Sequence, residues 1–323
     1  MNHNKYDSSV IIFTRLGSLY DQNQCGLTHL AEHVLVSFDK KRTAESKKKY
    51  VVTAHTSYDS MAFIIKYCQT AVNENEIREV MNAILNGDSI EWDLFYACRK
   101  DVLEEIKRDN AGMRAFVGRC RNKILFRHLP LGDINTVASL TKEQLEQFLV
   151  SYYLPIEKEI VRIRFDIIQK TYNIEYFNKN KVSRSSGKRA MIEYINEDIM
   201  HVLFNVIYAE HNNSKESIWI RNIMNQIYIE YFGKKRLREV KEVLLSKALF
   251  EKTLNYLQKS YEGMSFFDID NINYQISKCL ASDSSFFSLS DIKDYLYGMD
   301  VTGMFHSYKK YITDSQIIIH DLG

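Results

Sequence analysis

The stretch CGLTHLAEHVLVSF, residues 25–38, puts two histidines and a glutamate into a segment that is otherwise largely apolar. Its hydrophobic residues recur at the three- and four-residue spacing of one helix face: Leu27, Leu30, Val34, Phe38. Residues i and i+4 of a helix lie on the same face, so His29 and His33 can aim both imidazoles at one point. Glu32 can flank the same point. The stretch therefore predicts a helix with a metal-binding side.

The spacing H-x-x-E-H predicts zinc chemistry if a third ligand lies on a neighbouring element. Catalytic zinc takes three protein ligands and keeps a fourth position for water. A second predicted helix, over residues 89–112, offers Glu104 and Glu105 in tandem, and its periodicity does not choose between them. Zinc would lower the pKa of its bound water, and Glu32, not itself a ligand, would take the proton. The other interpretation is a pair of packed histidines that bind no metal.

The segments on either side of this helix predict both strands and helices, and hence an α+β fold. Residues 50–68 predict a β-hairpin that turns at 57–60, and residues 159–168 predict a strand with alternating apolar positions. The order in the first half is strand, helix, hairpin, two helices and strand.

The second half is predicted to be mostly helical. Its predicted elements include strands over residues 200–210 and 315–322 and a helix over residues 217–232. The polar, basic residues 178–190 predict a linker. It would separate a domain over residues 1–177 from a domain over residues 191–323.

Composition narrows the function classes. The chain has 323 residues and a formal net charge of +2, from 43 lysines and arginines against 41 aspartates and glutamates. This balance creates no field that would attract nucleic acid or an anionic membrane. No apolar run is long enough for a membrane helix, and the first residues lack a secretory-signal pattern. Five scattered cysteines are typical of reduced thiols, so we expect a cytoplasmic protein.

The motifs together resemble those of the M16 (pitrilysin- and insulinase-like) zinc peptidases, whose inverted H-x-x-E-H motif defines them as inverzincins. Their pattern is a strand ending in Gly-Ser, then an acid, then G-L-x-H-x-x-E-H. The matching residues here are Gly17, Ser18, Asp21, Gly26, Leu27, His29, Glu32 and His33. Residues 53–59 are similar to the family's substrate-binding edge strand, and residues 102–106 to the segment with its third zinc ligand. The likeness is strong over residues 10–170 and patchy after residue 190.

This resemblance implies a fold, a site and an activity. The fold is two related M16-type α/β-sandwich domains, each an antiparallel sheet packed on helices, with the second domain truncated. The site is one Zn²⁺ held by His29, His33 and Glu105, with Glu32 as the catalytic base. The implied substrate-binding residues are Thr53, Ala54, His55 and Thr56. The activity is that of a small bacterial, M16B-type zinc endopeptidase acting on a small peptide or a leader peptide.

Some residues depart from the family pattern, and one missing feature predicts a partner subunit. Thr53 replaces an asparagine of the substrate strand, and Cys98 replaces a glutamate whose role Glu104 or Asp101 could take over. The second half has no clear counterpart of the family's Arg/Tyr pair, which binds the substrate carbonyl. We therefore expect a heterodimer with an M16 subunit that supplies this pair, with a homodimer as the rival. The alternative function is a non-catalytic M16-like structural or peptide-binding subunit.

Overall fold

The computed structural model describes most of the chain. The described residues are 6–38, 49–87, 90–120, 125–166, 168–169, 171–177, 187–210, 217–223, 226–232, 242, 244–262, 269–281, 287, 289–314 and 317–321. The chain divides into two compact units, Met1–Val182 and Ser183–Gly323. Each unit combines helices with a β-sheet, which confirms the predicted α+β fold class.

The first unit is built on a five-stranded antiparallel sheet with the strand order β2-β3-β1-β4-β5. Its elements are β1 (Ser8–Thr14), α1 (Leu27–Leu35), β2 (Tyr50–Thr56), β3 (Met61–Tyr67), α2 (Glu74–Asn86), α3 (Phe95–Cys120), α4 (Ile134–Ser139), α5 (Lys142–Phe148), β4 (Lys158–Asp166) and β5 (Thr171–Phe177). The predicted hairpin is confirmed as β2 and β3, and the strand predicted over residues 159–168 is confirmed as β4. The prediction misses β5, and it ends α3 too early because a single helical glycine costs only about 1 kcal/mol.

Helix α1 packs against the sheet, next to strand β2, and beside α3. Val10 of β1, Leu30 and Val34 of α1, and Val102 and Ile106 of α3 belong to one hydrophobic core and are at most 1% exposed. Full burial of such a side chain stabilises the fold by about 1.5–3 kcal/mol. These contacts fix α1 and α3 next to each other.

Strand β2 forms one edge of the sheet, and its hairpin turn determines which backbone groups face outward. The Ser57 N–H donates to the Ser60 carbonyl at 2.8 Å, which makes these residues a hydrogen-bonded pair. Hydrogen-bonded and non-hydrogen-bonded pairs alternate along an antiparallel ladder. Counting back along the register, Thr53 and His55 direct their backbone groups toward β3. Ala54 directs its N–H and C=O to the open edge.

The second unit has a sheet of three strands among its described residues, in the order β6-β7-β8. Its elements are α6 (Gly187–Glu210), β6 (Ser217–Ile223), β7 (Gln226–Phe232), α7 (Lys247–Glu262), α8 (Ile269–Ala281), α9 (Leu289–Gly298), α10 (Val301–Asp314) and β8 (Ile317–Asp321). Strands β6 and β7 are antiparallel, whereas β7 and β8 are parallel. The closing strand predicted over residues 315–322 is confirmed as β8.

Two predictions for this unit are wrong. Residues 200–210 belong to helix α6, whose buried Ile195, Ile199 and Leu203 follow helical spacing over a window longer than the predicted strand. Residues 217–232 contain strands β6 and β7 instead of a helix, and the buried pair Ile227 and Ile229 alternates as a strand requires. A short apolar run does not distinguish a strand from a buried helix by itself.

The predicted linker lies only partly within the described residues. Residues 178–186 fall outside them, and residues 187–190 already form the first turn of α6. Lys188, Arg189 and Ala190 are good helix formers, so a polar composition does not prevent a helix there. None of the helices that the structure describes is long and apolar enough to cross a bilayer.

Candidate metal centre

Helix α1 begins on a buried carboxylate. Gly26 precedes it with a φ of 97°, in the left-handed region that favours glycine. The Asp21 carboxylate accepts hydrogen bonds from the N–H of Gly26 at 2.7 Å, from the N–H of Thr28 at 2.8 Å and from the Thr28 hydroxyl. Backbone N–H groups in a first turn lack partners within the helix, and a negative charge there is favourable. Asp21 therefore fixes where α1 starts and where His29 points.

His29, His33 and Glu105 bring three potential ligand atoms to one point. Glu105 Oε2 lies 3.3 Å from His29 Nε2 and 3.6 Å from His33 Nε2. Glu32 is also near, since ligand atoms of His29, Glu32 and His33 all lie within 4.8 Å of one another. Glu105 Oε2 lies within 3.6 Å of both imidazole nitrogens, whereas Glu32 Oε2 accepts a hydrogen bond from the Thr56 hydroxyl, so Glu105 is the better third ligand.

The separations of these atoms suit a zinc ion. Tetrahedral zinc with bonds of about 2.0–2.2 Å keeps its ligand atoms about 3.3–3.6 Å apart. Both contacts of Glu105 with the histidines, at 3.3 and 3.6 Å, lie in this range. Two imidazoles and one carboxylate are also a donor set of catalytic zinc sites. The residues present thus fit the metal.

The His29 ring is oriented from behind by the backbone. Its Nδ1 lies 3.2 Å from the Leu131 carbonyl oxygen. A carbonyl can only accept a hydrogen bond, so this contact favours a proton on Nδ1 and, in the neutral ring, a lone pair on Nε2. That lone pair points toward Glu105 and His33, where a metal would bind.

Glu32 is held in place by the edge strand. The Thr56 hydroxyl donates to Glu32 Oε2 at 2.5 Å. Burial raises the pKa of Glu32 above its ordinary value, although His29 and the Thr56 hydrogen bond act in the opposite direction. A carboxylate with a raised pKa is suited to general-base chemistry near neutral pH.

His29 and Glu105 stabilise each other's charged forms. Burial lowers the pKa of His29, but its hydrogen bond with Glu105 and the charge of Glu32 outweigh burial, so the net shift is upward. The hydrogen bond with His29 is the main reason that the pKa of Glu105 is lowered. A proton and a metal ion therefore compete for His29 Nε2.

The four residues predicted to bind substrate divide between the two faces of β2. Thr56 reaches Glu32, and Ala54 packs against the core on the same face. Side chains alternate along a strand, so Thr53 and His55 lie on the other face, away from the cluster. The structure brings Thr56 to the cluster and does not bring the side chains of Thr53 and His55 there.

The two adjacent glutamates of α3 have different surroundings. Glu104 pairs with Lys100 Nζ at 3.9 Å on the exposed side of the helix, while Glu105 faces the histidines. Cys98 is buried, and its thiol donates to the His33 carbonyl at a sulfur–oxygen distance of 3.5 Å. The thiol supports the helix backbone that carries His33, in place of a carboxylate beside the ligands.

Sequence reasoning missed two positioning groups. Asp21 belongs to the motif, but its role as a cap was not predicted, although an acid shortly before a glycine and a helix is a sequence signal for one. The Leu131 carbonyl gives no such signal, because a backbone acceptor does not depend on residue type.

No protein-family model matches this sequence, and no curated protein matches it either. Solved structures match in fold across nearly the whole chain. A protease from Helicobacter pylori is 14% identical with a TM-score of 0.59, and the match covers 99% of this chain and 95% of that one. The first half of the periplasmic protease PqqL from Escherichia coli is 13% identical with a TM-score of 0.52, covering 99% and 87%. An inactive M16 peptidase domain from Pseudomonas fluorescens is 12% identical with a TM-score of 0.52, covering 97% and 92%. The chain therefore has the fold of M16-like peptidases.

Proposed function

We propose that the chain is the catalytic subunit of a zinc-dependent endopeptidase that cleaves a small peptide or leader peptide. The observation that carries this proposal is the convergence of His29, His33 and Glu105 beside buried Glu32, next to the open edge of β2. A bound zinc ion would polarise the scissile carbonyl and make water more acidic.

Individual residues of the chain would then have separate roles in binding the substrate and in moving the proton. The substrate adds to β2 as an extra strand, and the outward N–H and C=O of Ala54 give affinity with little sequence preference. Glu32 takes the proton of the attacking water and delivers it to the leaving amine. The Thr56 hydroxyl keeps the Glu32 carboxylate aimed into the site.

A glutamine replacement separates metal binding from catalysis. Glu32→Gln keeps the shape of the side chain but cannot accept the proton, so we expect one equivalent of zinc and a loss in kcat of about 10²–10⁴-fold. Glu104→Gln is the matched control, because Glu104 lies on the exposed side of α3 and should leave zinc content and turnover unchanged. Unchanged turnover of Glu32→Gln would place the base elsewhere, and a wild-type protein without zinc would refute the proposal.

We also propose that catalysis needs a second M16 subunit that supplies the Arg/Tyr pair. The arginines nearest to such a pattern, Arg236 and Arg238, lie outside the described residues. Without a donor for the developing oxyanion, the isolated chain should be slower by roughly 10²–10³-fold. Mass measurement and peptide cleavage with and without the candidate partner test this. Full activity of a monomer would contradict it, and full activity of a two-copy assembly would favour the homodimer.

A non-catalytic peptide-binding subunit is the second candidate. Two observations favour it: Cys98 stands where the family pattern has a glutamate, and an inactive M16 domain has a similar fold. This function predicts peptide binding that persists in chelator-treated protein, without cleavage. We keep the cytoplasm as the proposed location because Cys25, Cys98 and Cys279 are buried thiols, and cell fractionation would test it.

A further inference from the structure

We propose that Gly132 is a positioning residue: its contact with Gly26 holds the Leu131 carbonyl against His29 and so selects the imidazole tautomer that can bind a metal. This inference rests on the proposed zinc function. The tautomer, however, can be measured in protein that contains no metal.

The contact between the two glycines leaves no room for a side chain on either. Gly132 has a φ of 90°, and a Cβ there would lie 2.6 Å from Gly26 Cα and 3.1 Å from the Cys25 carbonyl oxygen. Gly26 has a φ of 97°, and its Cβ would lie 2.9 Å from Gly132 Cα and 2.5 Å from Val137 Cγ2. Both positions also need the left-handed backbone region that favours glycine. Only glycine on both sides lets the two segments approach this closely.

The turn before Gly132 is tied to the segment that leads into α1. The Gly132 N–H donates to the Leu129 carbonyl at 2.8 Å, which closes the turn. The Ser18 hydroxyl donates to the His128 carbonyl, and His128 Nδ1 lies 3.2 Å from the Ser18 carbonyl oxygen. The Leu131 carbonyl is therefore presented to His29 by a turn that is held at both ends.

Two acceptors compete for the single N–H of a neutral His29. Glu105 Oε2, 3.3 Å from Nε2, favours the tautomer with its proton on Nε2, which cannot bind a metal through that atom. The Leu131 carbonyl, 3.2 Å from Nδ1, favours the other tautomer. Since the metal needs the Nε2 lone pair, the carbonyl must hold its position for the site to be ready. The glycine contact supplies that constraint.

The test is the tautomer of His29 together with zinc affinity, in wild type and in two glycine variants. In metal-free wild type at alkaline pH, ¹⁵N NMR of the ring should show the proton on Nδ1. Gly132→Ala should move the carbonyl away, shift the proton toward Nε2 and weaken zinc binding by about 10–100-fold, as loss of such supporting groups does. Gly87→Ala is the matched control, because Gly87 also has a positive φ, of 68°, but the atom nearest to a Cβ there, Ile90 Cδ1, would lie 3.5 Å away.

The outcomes separate this inference from the proposed function. Gly87→Ala should lose stability but keep the Nδ1–H tautomer and bind zinc within about twofold of wild type. A folded Gly132→Ala with unchanged tautomer and affinity would overturn the inference, and so would equal zinc loss in both variants. If Gly132→Ala does not fold, the wild-type spectrum decides, and a proton on Nε2 overturns the inference. If wild type binds no zinc, the proposed function is wrong. If the His29 proton still moves from Nδ1 toward Nε2 in Gly132→Ala, the positioning role of Gly132 stands.

Discussion

Both units of the chain bury phenols, such as Tyr153 and Tyr308, but among the described residues only the first unit buries carboxylates and an imidazole. In the unit Met1–Val182, the buried polar groups include Asp21, His29 and Glu32, which are carboxylates and an imidazole. In the unit Ser183–Gly323 they include phenols: Tyr261 donates to Asp198 Oδ2 at 2.6 Å, and Tyr308 lies against the Phe250 ring.

The buried groups of the two units differ in whether they can change charge. Burial raises the pKa of Tyr261 and Tyr308 far above neutrality, so these phenols stay uncharged. In the first unit, burial raises the pKa of the Asp21 and Glu32 carboxyls, and, against the effect of burial, the neighbouring carboxylates raise the pKa of His29. Among the described residues of the second unit, no group of His, Cys, Asp and Glu has the spacing of a metal site. We therefore expect the effects of metal and of protonation to appear in the first unit.

The largest effect should be stabilisation by zinc. At a zinc concentration a thousand times Kd, a native-state ligand adds about 4 kcal/mol to the free energy of unfolding. Hydrogen exchange should show this added protection in Met1–Val182 and not in Ser183–Gly323. His29→Ala should abolish it, whereas His306→Ala, which removes an exposed histidine of α10, should not. Equal protection in both units would show that the effect of zinc is not confined to the first unit.

A smaller effect should come from the pH dependence of the Asp21 cap. Burial raises the pKa of this carboxyl from 3.8 to about 6 in the native state. Its contribution to stability is thus fully present below pH 3.8 and is lost as the pH rises through about 6. Asp21→Asn does not titrate, so across that window wild type should lose about 3 kcal/mol relative to the variant. Urea unfolding of metal-free protein at several pH values measures this difference.

The control for Asp21 lies in the second unit. Asp300 is an exposed carboxylate that accepts a hydrogen bond from the Gly303 N–H at 2.8 Å at the start of α10. Asp300→Asn replaces this exposed carboxylate at a helix start, and its effect on stability is measured at the same pH values. A flat difference between wild type and Asp21→Asn would show that the buried cap is no more sensitive than the exposed one.

The smallest effect should be on substrate capture at the edge strand. Ala54→Pro removes one N–H that faces the open edge, and a net hydrogen bond is worth about 0.5–1.5 kcal/mol, so peptide binding should weaken by roughly 2- to 13-fold. The sheet tolerates proline where the N–H faces outward. Thr53→Pro instead removes a bond to β3 and should lower the melting temperature. If Thr53→Pro weakens peptide binding while Ala54→Pro leaves it unchanged, the assignment of outward-facing groups is reversed.

A feature could be predicted from the sequence when the residues that determine it lie close together in the chain. The i, i+4 pair His29 and His33 and the apolar face of α1 are local, so the helix and the common side of its two histidines were predictable. The hairpin was predictable because its strands are adjacent in the chain. Residues 200–210 and 217–232 were assigned wrongly because short apolar runs suit a helix or a strand, and tertiary packing decides between them. The Leu131 carbonyl and the contact between Gly26 and Gly132 join distant segments through backbone atoms, which no residue pattern encodes.

The hydrogen bond between His29 and Leu131 also sets an order of events during synthesis. Its two residues are 102 positions apart in the chain. At translation rates of about 5–20 residues per second, the ribosome needs roughly 5–20 s to travel from one to the other. During most of that interval the emerging histidines have no Glu105 carboxylate beside them, and throughout it they lack the carbonyl that orients the ring. A nascent chain therefore cannot complete the cluster of His29, His33 and Glu105 in its finished geometry until almost three quarters of the first unit has left the ribosome.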